Sequence, residues 1–167
     1  RTDYDLGVHM EHSGVDLRYL DPDTNEKYLP YVIEPSVGLD RLLYAILADA
    51  YTKEILDNGE EREVLKIHPA LAPIKVTILP LIKKVHGDRA MDLYGDLAKY
   101  FMCSMDTSGS IGKRYRRSDA VGTPLCITVD DETINNDTVT IRNRDTMEQI
   151  TLPISELKSY IEEVIKF

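Results

Sequence analysis

Residues 102–129 read MCSMDTSGSIGKRYRRSDAVGTPLCITV, and the fold is decided here. Met102 to Met105 is a short strand, and a Gly-Ser turn leads from it into a basic segment, Ile111 to Ala120, that reads as helix. Leu125 to Val129 is a second strand. Working outward, Lys75 to Leu81 reads as a buried strand and Asp88 to Phe101 as an amphipathic helix. Downstream, Thr138 to Arg142 is a strand reached through an Asp-Asn loop, Gln149 to Leu152 is another, and Ser155 caps a final helix ending near Lys166. Strands alternating with helices, closed by a β-hairpin, predict an α/β domain with a mixed β-sheet flanked by helices.

The first part of the chain has a different character. Leu17 to Leu20 and Tyr28-Leu29 flank Asp21-Pro22-Asp23-Thr24-Asn25, the composition of a turn between two short strands. Tyr28 to Glu34 (YLPYVIE) is β-rich and broken by Pro30, and Pro35 to Gly38 turns the chain. Leu39, Leu42, Leu43, Ile46, Leu47, Ala50 and Tyr51 then recur as a helical stripe, predicting a core-facing helix from Leu39 to about Leu56. Asp57 to Glu63 (DNGEERE) is polar and acidic around an Asn58-Gly59 turn, which sets a domain boundary near Leu65: one unit over 1–64 and a second over 65–167.

The 167 residues suffice for one substantial core and a small second unit. The net charge of -9 argues at first against a nucleic-acid partner, yet all of the excess acid lies in residues 1–64, which hold 6 basic and 15 acidic side chains. Residues 65–167 hold 14 of each, so a local positive patch is not swamped. Cys103 and Cys126 are too few for a disulfide framework and read as buried thiols of a reducing compartment, with a cytoplasmic location expected. No apolar run reaches the roughly 20 residues of a membrane span, and no membrane partner is expected. Arg1 opens the chain without a basic, apolar leader, so a signal peptide is not expected and the chain reads as part of a longer protein.

Two groups of residues carry a family resemblance. Val32-Ile33-Glu34-Pro35-Ser36-Val37-Gly38-Leu39-Asp40-Arg41 resembles motif 3 of the class II aminoacyl-tRNA synthetases, in the form found in glycyl-tRNA synthetases. His68 to Lys75 (HPALAPIK), Asp106 to Pro124 and Thr138 to Met147 (TVTIRNRDTM) resemble the C-terminal anticodon-binding domain of the same family. The resemblance implies an anticodon-binding domain preceded by a partial antiparallel-sheet piece of the catalytic domain. It implies attachment of glycine to its tRNA at the expense of ATP, with Mg2+ and a homodimeric full-length protein. It also assigns Glu34, Pro35, Ser36, Val37 and Gly38 to the glycine pocket, Gly38, Leu39, Asp40 and Arg41 to ATP, and the catalytic role to Arg41.

Elementary physics supports the motif 3 assignment. A helix N-terminus carries about half a positive charge and unpaired N–H groups, which favour phosphate oxygens, and Arg41 adds a permanent planar cation one turn in. Gly38 removes a side chain where a nucleotide approaches. Glu34 and Ser36 suit a small ammonium group by charge and hydroxyl. A class II synthetase also needs a dimer-forming motif and a second ATP-binding arginine, which these 167 residues lack, so the chain alone is expected to be inactive.

Lys113-Arg114-Tyr115-Arg116-Arg117 concentrates four cations in five residues. On a helix Lys113, Arg116 and Arg117 share a face suited to RNA phosphates, while Arg114 points elsewhere. Arg142 and Arg144 alternate with Asn143 on a strand and are expected to reach unstacked anticodon bases. The competing reading is a solvated charge run paired with Asp119, Asp130 and Asp145. Gly109 to Lys113 lacks the first glycine and the closing Ser or Thr of a P-loop, and His9-Met10-Glu11-His12 lacks the i, i+4 pair of a zinc protease, so no metal site is expected. The alternative function is a non-catalytic nucleic-acid-binding accessory module with the same anticodon-binding fold. The presence of Glu34, Ser36, Gly38 and Arg41 weighs against it.

Overall fold

The computed structural model describes residues 2–167, which divide into two compact units, one through Leu42 and one from Leu43 to Phe167. In the first, helix α1 (Tyr4–Ser13) ends at Gly14, whose φ of 70° closes the C-terminal cap. Strands β1 (Tyr19–Leu20) and β2 (Lys27–Tyr28) pair antiparallel, as the turn composition predicts. The Asp21 carboxylate accepts N–H groups of Asp23 and Thr24 and so builds the turn between them. The expected strand through Glu34 is not formed: the ladder stops at Tyr28, because Pro30 and Pro35 have no N–H to donate. Helix α2 (Leu39–Ala50) follows.

The expected helix end at Leu56 is corrected to Ala50. Residues 51–65 form a hairpin instead, β3 (Tyr51–Ile55) against β4 (Glu61–Leu65), with Gly59 at φ 80° in its turn. Opposite charges face each other across it, Lys53 against Glu63 and Glu54 against Arg62, and such pairs favour the ladder over another helical turn. The acidic stretch is therefore no linker. Arg62 is fully buried and tied to Asp119 and to the carbonyl of Arg144, so compactness divides the chain at Leu42 rather than near Leu65.

The main sheet contains β5 (Val76–Pro80), β6 (Cys103–Met105), β7 (Leu125–Val129), β8 (Thr138–Asn143) and β9 (Gln149–Pro153), ordered β6-β5-β7-β8-β9. β5 runs parallel to β6 and β7, joined through α3 (Lys83–Leu97) and α4 (Ile111–Ala120), and the last three strands are antiparallel. The mixed sheet flanked by helices is thus as expected. β5 and β7 are buried along their whole length, which is why they read as mostly apolar runs, interrupted only by Thr77 and Pro80 and by Thr128, rather than as alternating ones. Val76, Ile78, Leu125 and Ile127 pack with Ala90, Leu93 and Leu97 of α3, and with Leu157 and Ile161 of α6 (Leu157–Val164).

Four local expectations are revised. α3 begins at Lys83, five residues before Asp88, because the buried His86 ring accepts the Ile82 N–H through Nδ1 at 3.0 Å, satisfying an orphan donor of the first turn. It ends at Leu97 rather than Phe101. The Asp-Asn loop contains a short helix, α5 (Asp131–Asn136), secured by a capping box between Asp130 and Thr133 and stopped by Asp137 at φ 52°. Ser155 lies inside a 3-10 turn (Ile154–Glu156) and caps nothing. Cys126 is buried but Cys103 only half so, and burial pushes both thiols up to about 11.

Candidate nucleic-acid interface

In the strand order β6-β5-β7 the chain leaves β5 first to one side and then to the other. Such a reversal opens a crevice beyond the carboxyl ends of the strands. Beside α4, the Tyr115 side chain lines two hollows. Its hydroxyl is 2.7 Å from Thr128 Oγ1 on β7, and the Arg142 guanidinium lies 4.9 Å from the ring centroid. A groove of about 450 Å3 is lined by Ser110, Gly112, Lys113, Tyr115, Arg116, Arg142, Met147 and Glu60. A smaller hollow of about 260 Å3, lined by Leu81, Ile111, Thr128, Asp130, Thr140 and Gln149, meets the same tyrosine.

The six cations expected at this interface divide into two sets. Lys113 is exposed and Arg116 half-exposed, and both line the groove. Arg117 is also exposed, but its Nε donates to Asp106 at 2.8 Å and its Nη2 to the Ser108 carbonyl. Although burial opposes it, the Ser108 amide and Arg117 hold the Asp106 carboxyl below the usual carboxylate value.

Arg114, Arg142 and Arg144 are buried. Arg114 donates to the Pro80 carbonyl at 2.6 Å and to the Gly109 carbonyl, pinning the loop before α4 to the end of β5. Arg142 donates to both Asp119 oxygens, at 2.9 and 3.2 Å. Arg144 donates to the Gly122 carbonyl and grips Asp145 through two nitrogens. These three guanidinium groups are engaged inside the fold. The competing expectation of pairing with Asp119 and Asp145 describes Arg142 and Arg144, with Asp119 a buried partner rather than a solvated one. Arg114 pointing away from the Lys113 face agrees with the helical spacing.

Two acidic residues bear on the groove: Asp119, which the sequence reading offered only as a solvated partner of the charge run, and Glu60, which it did not single out. Asp119 is fully buried and takes Arg62 Nε on Oδ2 at 2.9 Å as well as Arg142. Burial acts against the Arg62 charge, but Asp119 and Glu54 raise its pKa overall. Glu60, at the hairpin turn, forms the opposite wall, its Oε2 3.8 Å from Arg116 Nη2. No local pattern links position 62 to position 119, so the sequence offered no signal for this pairing.

The motif 3 residues lie in the first unit. Glu34, Pro35, Ser36, Val37 and Gly38 are exposed and outside regular structure, while Leu39, Asp40 and Arg41 open α2, also exposed. The Gly38 carbonyl accepts the Leu42 N–H at 2.9 Å, and a Cβ at Gly38 would meet nothing within 4 Å. None of these residues lines the cavities described above. The apolar stripe of α2 is largely exposed within this chain, Leu39, Leu43 and Tyr44 most of all, and only Ala50 is buried.

The mixed sheet thus carries a groove beside a basic helix. Residues 75–164 match the family described as "Anticodon binding domain", more than half of the chain, and the chain belongs to that family. It is 59% identical over all 167 residues to the glycine–tRNA ligase of Clostridium tetani and 57% identical to that of Geobacillus thermodenitrificans, spanning about 36% of the length of each. A solved structure, the RNA binding domain of threonyl-tRNA synthetase from Cryptosporidium parvum, matches 59% of this chain and 25% of its own with a TM-score of 0.55. At 24% identity that likeness speaks for the fold alone.

Proposed function

We propose that the chain is the tRNA-binding portion of a glycine–tRNA ligase of class II, and that the groove beside Tyr115 receives nucleotides of the anticodon loop. The observation that carries the reading is the juxtaposition, in one groove, of a half-buried aromatic ring with the exposed cations Lys113 and Arg116. Unstacked bases seek a π-face, and their phosphates seek cations. Identity of 59% and 57% to glycine–tRNA ligases, over the whole of this chain and 36% of theirs, supports glycine isoacceptors as the tRNA. Arg114, Arg142 and Arg144 then serve as the scaffold of the site, holding α4 and β8 in register.

The same reading makes Arg41 and Gly38 part of an ATP site, and Glu34 to Gly38 part of a glycine pocket, completed by residues beyond this chain in a homodimeric protein. It leaves the 167 residues inactive alone. The exposed stripe of α2 supports it, since a helix with that pattern is built to be covered. Among the described residues no group of three or more His, Cys, Asp or Glu is placed to hold a metal ion, and in this reading the Mg2+ that accompanies ATP is bound in the full-length protein. No helix of the structure is long and apolar enough to cross a membrane, and a cytoplasmic location belongs to the same proposal.

The test is a titration of fluorescently labelled glycine-accepting tRNA at several salt concentrations. Lys113→Ala with Arg116→Ala is expected to reduce the log–log salt slope by about 1.5, as loss of two phosphate contacts requires. Arg117→Ala is expected to change it less, because Asp106 already neutralises that side chain. An unchanged slope in the double variant would remove the groove from the interface.

A further inference from the structure

The β3–β4 hairpin lies outside residues 75–164, the segment that matches the anticodon-binding family, yet it supplies one wall of the groove. It is held there firmly. Arg62 has no exposed surface and spends its guanidinium on Asp119, Glu54 and the Arg144 carbonyl. Glu60, two residues before this anchor, faces Lys113, Tyr115 and Arg116 across the groove. Its carboxylate is exposed, and 3.8 Å from Arg116 is beyond hydrogen-bonding distance, so its acceptor sites are available to a ligand.

We propose that Glu60 is a specificity-determining residue of the groove, accepting an N–H from the amino edge of an unstacked base and rejecting bases that present a carbonyl there. This rests on the groove being an RNA site, as set out above. An ionised carboxylate can only accept hydrogen bonds, so it pairs with the exocyclic amino group of cytosine and is repelled by the equivalent oxygen of uracil. Tyr115 and Met147 offer an apolar floor on which the base lies, and Lys113 and Arg116 neutralise the flanking phosphates. Without those cations a glutamate beside an RNA backbone would only repel. With them, Glu60 gives up some affinity and confers selectivity. Because Arg62 anchors the hairpin, the backbone that carries Glu60 is held beside the groove.

The experiment compares two stem-loop RNAs that differ only in a seven-nucleotide loop of cytosine or of uracil, titrated by fluorescence anisotropy against the full chain. The wild type is expected to prefer the cytosine loop on the order of tenfold. Glu60→Gln, whose amide both donates and accepts, is expected to bring the ratio near one by raising affinity for the uracil loop, an outcome that structural damage would not produce. Lys113→Ala is expected to weaken both loops and leave the ratio in place. A ratio that persists in Glu60→Gln while Lys113→Ala weakens binding overturns the role of Glu60 but keeps the groove. The absence of any preference in the wild type overturns it as well. Failure of Lys113→Ala to weaken either loop removes the groove reading and this inference with it.

Discussion

Arg62 Nε lies 2.9 Å from Asp119 Oδ2, and both side chains are fully buried. The two residues are 57 positions apart, one on the hairpin and one near the end of α4. Arg142 joins them on the same carboxylate, and Glu54 joins Arg62 at 2.7 Å. Two cations thus converge on one buried anion, with a further carboxylate at the edge, and charge joins the hairpin, the basic helix and β8 beside the packing of Val64.

Removing the central anion leaves two buried guanidinium groups without their partner. Breaking a buried pair of this kind costs about 3–5 kcal/mol, more than the pair contributes relative to an apolar replacement. Asp119→Asn is therefore expected to lower the urea midpoint of the full chain substantially. Asp119→Leu combined with Arg62→Met and Arg142→Leu is expected to recover much of the loss. Urea denaturation followed by circular dichroism measures both, and a single variant as stable as the wild type would show that the network carries no structural load.

The legible parts of this fold were those governed by local pattern. α4, β7 and the antiparallel pair β8 and β9 lie where periodicity and apolar runs predict them, because a strand buried on both faces needs no partner to announce itself. The hairpin was read as a helix end and an acidic linker. Its second strand depends on Arg62 meeting Asp119, and a contact across 57 residues leaves no local trace. The same blindness affects the site. Alternation on β8 was expected to carry both Arg142 and Arg144, but the strand ends at Asn143 and Arg144 lies in the turn beyond it, and strand geometry does not distinguish a side facing RNA from one facing a buried carboxylate.

The hairpin also makes stability depend on pH. Lys66 and Arg62, despite some burial, hold the Glu54 carboxyl below its ordinary value of 4.5. A carboxyl with a depressed folded-state pKa binds protons more readily when unfolded. Its contribution is complete above pH 4.5 and fades as the pH falls through the lower folded-state value. Melting temperatures are therefore expected to fall below pH 4.5 more steeply for the wild type than for Glu54→Gln. Above pH 6 the variant should be the less stable of the two. Parallel curves across that range would mean that Glu54 makes no net ionic contribution.

Arg41 gives the sharpest test of the proposed activity, and it requires a full-length ligase containing this segment. The side chain is exposed in the first turn of α2, where the helix dipole and free N–H groups already favour anionic oxygens, and Gly38 leaves open space before it. Among the described residues no hydrogen bond or ion pair involves the guanidinium, so its removal should leave the fold intact. Preorganised cations aimed at charge that develops on a transferring phosphate are worth on the order of 3 kcal/mol, or about a hundredfold in rate. Arg41→Ala is expected to reduce glycine-dependent exchange of pyrophosphate into ATP by about that factor while leaving tRNA affinity unchanged, since the groove lies on the other unit. Exchange at the wild-type rate would separate α2 from the ATP site, whereas a parallel loss of tRNA binding would point to damage to the fold rather than to chemistry.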